Sequence, residues 1–180
     1  MHKVEEISYT LKDLPLDIKP LNLKGVEIQA ETVAEIASSS ALQASKKNGI
    51  PLIVEDTGLF ISALNGFPGP YASYVQVTLG IGGILKLLDR ITDRKAIFQS
   101  VVAFSNTIGN VKCFLGESQG VISYAERGSR GFGFDSIFEP CNGAGKTFAE
   151  MELEEKTKIS HRSLAVKQFA NWYLDHFTMT

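Results

Sequence analysis

The chain has 180 residues, 44% hydrophobic and 21% charged, and its 18 Lys and Arg against 20 Asp and Glu give a formal net charge of −2. That length suits one sizeable globular domain or two lobes sharing a sheet, and the charge argues against a broad surface for polymeric nucleic acid while allowing a few local cations around one small anionic ligand. Cys113 and Cys141 form neither a C-x-x-C pair nor a zinc cluster, no signal-peptide pattern opens the chain, and Lys86, Asp89 and Arg90 interrupt the longest leucine-rich run; a soluble protein of the reducing cytoplasm, with no membrane partner, is expected.

In chain order, Val33 to Lys47 places Ile36, Ala37, Ala41 and Ala44 on one helical face, closes on Lys46 and Lys47, and stops at Asn48-Gly49, as a helix does. Leu52, Ile53 and Val54 read as a strand covered on both faces. Asn65 to Pro70 is dense in turn formers and is placed at the rim of a site, and Gly82 to Arg90 carries Ile84, Leu87 and Leu88 at helical spacing. Ala96 to Phe104 and Val111 to Leu115 read as strands joined by a loop over Asn106 to Asn110. From an N-cap at Ser160, Leu164, Phe169, Trp172, Tyr173 and Phe177 alternate with polar residues as in a docking C-terminal helix.

Three stretches carry chemistry. Glu55-Asp56-Thr57-Gly58 ends the apolar strand with two carboxylates, a hydroxyl and a glycine, at the edge where open α/β sheets present ligand-binding residues. If strand geometry persists, the two carboxylates face opposite sides and only one faces a site; a plain acidic turn is the other reading. Arg130 to Phe138 alternates glycine with aromatics and includes Asp135, which suits close backbone approach and stacking on a planar base, or a glycine-kinked strand with core phenylalanines. Glu155 to Arg162 gathers Lys156, Lys158, His161 and Arg162 at a helix start, an anion site or a solvated charged turn. His2 and His176 have no comparable surroundings.

In order, Val54-Glu55-Asp56-Thr57-Gly58-Leu59, Gly66-Phe67-Pro68-Gly69-Pro70-Tyr71, Gly131 to Phe138, and Lys146-Thr147-Phe148-Ala149-Glu150-Met151 with Glu155-Lys156 and Ser160-His161-Arg162 resemble the inosine triphosphate pyrophosphatase family, the Ham1-like noncanonical purine NTP pyrophosphatases. The resemblance covers nearly the whole chain. It implies one domain over residues 1–180, of α/β class, with an elongated central mixed sheet, flanking helices and two lobes around a substrate cleft. It implies a Mg²⁺-dependent nucleoside triphosphate pyrophosphohydrolase that sanitises the nucleotide pool by converting ITP, dITP and XTP to the monophosphate and pyrophosphate, usually as a homodimer.

Residue by residue, the resemblance makes Asp56 the catalytic acid, Glu27 and Asp56 the Mg²⁺ ligands, and Glu55 a supporting ligand. It assigns substrate contacts to Lys3, Thr57, Phe132, Gly133, Phe134, Asp135, Lys156, His161 and Arg162, with His161 and Arg162 at the purine edge and Phe132 to Asp135 walling the base and sugar. A hard divalent cation takes oxygen ligands and neutralises charge on departing pyrophosphate, and a carboxylate can orient or deprotonate water attacking the α-phosphorus; both jobs stay open for Asp56. A donor-only Arg162 aimed at the 6-carbonyl of inosine or xanthine would leave donors unpaired against ATP.

The chain departs from that pattern in two places. Family members open with an apolar strand and a Thr/Ser-Gly/Ser-Asn-x-x-Lys-Val segment, of which only Lys3-Val4 is matched, so the first strand would fall before Met1. A start lying upstream is favoured, because losing a central strand exposes its neighbours' backbone groups; a complete but weakened relative is the other reading. Ser40 stands where many members carry a substrate-binding lysine. Two further functions stay open: a Maf-like nucleotide diphosphatase, and a nucleotide-binding protein whose turnover is weakened or lost with the short N-terminus.

Overall fold

The computed structural model of the chain describes residues 2–23 and 28–177. The apolar run at Leu52 opens a strand of 10 residues, β1 (Leu52–Ile61), so Glu55-Asp56-Thr57-Gly58 lie inside the strand and not beyond its end as their composition suggests. The cause is pairing. β3 (Lys95–Ser105) runs antiparallel along all of β1, from Ser105 opposite Leu52 to Ala96 opposite Ile61, and a full ladder overrides the weak strand propensity of Asp and Gly.

The remaining elements, in chain order, are α1 (His2–Leu11) and α2 (Val33–Asn48) ahead of β1, then β2 (Pro68–Gly69), α3 (Ala72–Thr78) and α4 (Gly80–Leu87). After β3 come β4 (Val111–Ile122), β5 (Phe138–Pro140), α5 (Leu153–Ile159) and α6 (His161–Phe177). The sheet has the order β2-β1-β3-β4-β5. The α/β class is as expected, but every pair of these strands is antiparallel, where a mixed sheet is expected from the resemblance. Parallel neighbours need a crossover to the opposite end of the sheet; here the segment between β1 and β3 stays at one end, and a short loop at Asn106–Asn110 reverses β3 into β4.

Helices cover both faces. On one, Val33, Ala37 and Ala41 of α2 pack against Val101 and Ala103 of β3 and Val54 of β1. Its ends follow from its sequence: Thr32 and Glu35 form a reciprocal capping box, and Gly49 takes a left-handed φ of 66° to stop it. On the other face, Ala165, Val166, Phe169 and Ala170 of α6 meet Val102, Phe104 and Phe114, with Leu11 of α1 alongside. α6 approaches so closely that a Cβ on Gly116 of β4 would lie 2.0 Å from the His161 carbonyl oxygen, which is why a glycine sits in the middle of a strand. A third cluster, with Leu59, Ile61, Ile84, Phe98, Phe138 and Phe148, closes the end of the sheet near α4.

Candidate active site: a buried charge cluster beneath Phe132

Strand alternation divides the acidic motif. Glu55 and Thr57 share the α6 face with Ile53 and Leu59, while Asp56 shares the α2 face with Val54 and Gly58. The Glu55 side chain is buried and highly partnered: its Oε1 accepts from Thr57 Oγ1 at 2.5 Å, Ser100 Oγ at 2.6 Å and Arg162 Nε at 3.0 Å. Its Oε2 lies 3.0 Å from Nζ of Lys3, whose side chain is 44% exposed. Burial alone would raise the Glu55 pKa, but Arg162, Lys3 and the two hydroxyls outweigh it and hold the carboxyl well below the usual range.

Arg162, 2% exposed, is the hub. Its Nε donates to Glu55, its Nη1 to Glu6 Oε2 at 2.8 Å and its Nη2 to Thr57 Oγ1 at 3.1 Å. Burial opposes its charge, yet Glu55 and Glu6 more than compensate and raise its pKa further. Glu6 also accepts from Ser160 Oγ at 2.5 Å and lies 3.5 Å from Lys156 Nζ. Against the effect of burial, Arg162 and Lys156 bring its pKa down to about 2. Lys156 donates in turn to Asp135 Oδ2 at 2.7 Å, which also accepts the Phe132 N–H at 2.9 Å. Lys3, Lys156 and Arg162 are thereby matched by Glu6, Glu55 and Asp135, as the buried Lys156 and Arg162 must be.

The glycine-aromatic run is divided too. Gly131 and Gly133 adopt φ of 73° and 62°, and between them Phe132 turns its ring over the cations, 5.2 Å from Arg162 Cζ and 5.7 Å from Lys156 Nζ. The His2 ring stacks on Phe132 at 5.6 Å. A Cβ on Gly133 would meet nothing within 4 Å, whereas Phe134 is buried in the core. His161 is buried and stacks on Phe98 at 4.5 Å with rings 9° apart. Burial first and the Arg162 charge second push its pKa down to about 3, so the imidazole is neutral, and its buried Nδ1 has no hydrogen-bond partner among the described residues.

The expected residues therefore fall into three groups. Lys3, Thr57, Phe132, Asp135, Lys156 and Arg162 converge, with His161 beside them; Phe134 points into the core; and Asp56 lies across the strand, its Oδ1 accepting the Thr57 N–H at 2.9 Å. Glu27 lies outside the described residues. Among those residues no group of three His, Cys, Asp or Glu is placed to hold a metal ion, although Asp56 offers the oxygen donor a hard cation prefers. A cleft of about 1260 Å³ runs beside β1 between α1, residues 16–23 and α2, reaching the cluster at Glu55 and lined by Ser40 and Lys47. Glu6 and Ser100 were not foreseen. Glu6 shares a helical face with Lys3, three residues earlier, and Ser100 interrupts an apolar strand; those are the signals each offers.

The profile of the Ham1 family matches residues 1–172. A protein of Hyperthermus butylicus named dITP/XTP pyrophosphatase is 46% identical over 171 residues, covering 95% of this chain and 89% of its own. One of Thermococcus kodakarensis with the same name is 45% identical over 170 residues, covering 94% and 91%. The solved structure of a HAM1 protein from Coxiella burnetii superposes with a TM-score of 0.85 at 31% identity, covering 96% of this chain and 93% of that one. With residues 1–172 matched by the family profile and a superposition covering 96% of the chain, the chain belongs to the Ham1 family.

Proposed function

We propose that the protein hydrolyses noncanonical purine nucleoside triphosphates, dITP, XTP and ITP, to the monophosphate and pyrophosphate. The observation that carries this is the convergence of Lys156, Arg162 and Asp135 beneath Phe132, in a chain 46% identical to a protein named dITP/XTP pyrophosphatase. An aromatic face with donors under it suits a planar base, and the half-exposed Lys3 suits a phosphate. Arg162 keeps one N–H on each of Nη1 and Nη2 after its described hydrogen bonds; these two donors favour a 6-carbonyl over a 6-amine.

In this reading Asp56 orients or deprotonates the attacking water; Asp56 and Glu27 would hold Mg²⁺, which would supply charge neutralisation for the departing pyrophosphate. Lys3 holds the phosphates, while Thr57, Gly133 and Asp135 shape the sugar and base pocket with Phe132. Phe134 serves that pocket from the core, by fixing the turn that carries Phe132. We read residues 1–180 as one domain, since three apolar clusters share a single sheet. The exposed Tyr74 and Val77 of α3 support a homodimer. No described helix is long and apolar enough to cross a membrane, and the free Cys113 and Cys141 support a reducing cytoplasm.

The test is a panel of ITP, dITP, XTP, GTP and ATP with Mg²⁺ and product identification. Pyrophosphate release with preference for the first three is expected. Orthophosphate release, equal use of ATP, or binding without turnover overturns the reading.

A further inference from the structure

The sequence around His2 offers no ligand chemistry, yet in the fold its imidazole lies on Phe132, with ring centroids 5.6 Å apart and planes 13° from parallel. The contact joins the first turn of α1 to the glycine-flanked turn that carries Phe132.

α1 is anchored along one stripe. Lys3 Nζ lies 3.0 Å from Glu55, Glu6 accepts from Arg162, and Thr10 Oγ1 is 2.9 Å from Ser163 Oγ on α6. His2 stands one turn ahead of Glu6 on the same stripe, so the anchored helix carries it to Phe132. The side chain itself is lightly held. It is 60% exposed, and its one ion-pair contact among the described residues is Glu5 at 3.9 Å, itself 65% exposed, a pair of the kind that contributes little.

The two rings therefore differ in freedom. Phe132 is half-buried, its N–H is donated to Asp135, and its ring lies 5.2 Å from Arg162 Cζ. His2 is exposed and can change rotamer without breaking a hydrogen bond. A nearly parallel pair with one fixed and one movable member can admit a third flat ring. The imidazole has to move outward by about one ring thickness; it gives up one stacked contact and regains one on the base.

Resting on the nucleotide-hydrolase reading above, we propose that His2 is a base-binding residue: its imidazole is the movable outer wall of the base site and stacks on the face of the purine turned away from Phe132. Every nucleobase has such a face, so this wall contributes affinity without telling a 6-carbonyl from a 6-amine.

The variants are His2→Ala and His2→Phe, compared with wild type. IMP binding is measured by calorimetry, KM and kcat for ITP and ATP with Mg²⁺, and inhibition by inorganic tripolyphosphate, which carries phosphates and no base. His2→Ala should weaken IMP binding about fivefold or more. KM for ITP and for ATP should rise by a similar factor with a smaller change in kcat, while the ITP-over-ATP preference and tripolyphosphate inhibition stay unchanged. His2→Phe, which keeps a flat ring, should retain wild-type binding. Undiminished or tighter IMP binding by His2→Ala means that the imidazole merely covers Phe132, and overturns the proposal. So does equal weakening by both variants, or tripolyphosphate inhibition lost along with IMP binding, which would place the effect at Lys3 and not at a stacked base. A wild type that binds IMP without hydrolysing ITP overturns the hydrolase reading alone, and the IMP measurements still decide the role of His2. A wild type that binds neither overturns both.

Discussion

The two faces of β1 carry neighbouring acidic residues into opposite circumstances. Toward α6, Glu55 is buried among Arg162, Lys3, Ser100 and Thr57, with its ionisation locked far from neutral pH. Toward α2, Asp56 accepts a backbone N–H from Thr57 in partly buried surroundings beside Val54 and Gly58. A carboxylate matched on every side supplies fixed geometry, and one whose ionisation is locked is poorly suited to exchanging protons near pH 7. In the function proposed above, the first face supplies architecture and orients Arg162 and Lys156 for recognition, and Asp56 on the second face serves the chemistry.

Replacing the acid on each face tests that division most severely. Asp56→Asn should lower kcat for ITP by a factor of about 10² to 10⁴, the usual range for losing a positioned acid or base, and leave urea unfolding nearly unchanged. Glu55→Ala should do the reverse in kind. It strips the partner from a buried guanidinium, and breaking such a pair costs about 3–5 kcal/mol, read as a shift of the urea midpoint. If Asp56→Asn unfolds the protein while Glu55→Ala leaves it stable but inactive, the roles of the two faces are exchanged.

That division was half visible in the sequence. Alternation along a strand says that Glu55 and Asp56 diverge, but not which faces the cations, because only the packing of α6 decides it. The extent of β1 was hidden for a related reason: Asp56 and Gly58 read as terminators until β3 supplies a partner for each residue. β4 likewise runs to Ile122, well past the expected Leu115, because Gly116 and Gly120 look like breakers, although Gly116 is where α6 needs a surface without a side chain. The ends of α2 and the Ser160 cap were legible because their signals are local. α1 was not: its buried face carries Glu6, which apolar periodicity counts as solvent-facing.

Acid titration sharpens the comparison without mutating either carboxylate. His161 has an ordinary pKa of 6.5 and about 3 when folded, so below pH 6.5 the unfolded chain binds a proton that the folded one refuses. Stability is therefore lost as pH falls through that window. Glu6, with an ordinary 4.5 and about 2 when folded, joins below pH 4.5 with the same sign. At up to 1.4 kcal/mol per pH unit for each proton, urea unfolding should show a loss of about 2 kcal/mol between pH 6.5 and 5. His161→Phe, which keeps a ring against Phe98, should flatten that segment and leave the steeper fall below pH 4.5. A wild-type curve flat to pH 5 would place the imidazole in contact with water.

The smallest effect is expected at the entry to α2, on the Asp56 face. The Thr32 hydroxyl accepts the Glu35 N–H at 3.2 Å and the Glu35 carboxylate accepts the Thr32 N–H at 3.1 Å, directly ahead of Val33, which is buried against β1 and β3. Thr32→Ala removes half of that box and should cost about 1 kcal/mol, visible as lower hydrogen-exchange protection in the first turns of α2 and no change in α6. The locality is the informative part. Val33, Ala37 and Ala41 of α2 meet the sheet through apolar contacts, and among the described residues no ion pair links α2 to Arg162, so a frayed first turn should leave the cation cluster undisturbed. A loss of protection that spreads to α6 would mean that the sheet couples its two faces, and that Asp56 and the cation cluster answer to the same packing.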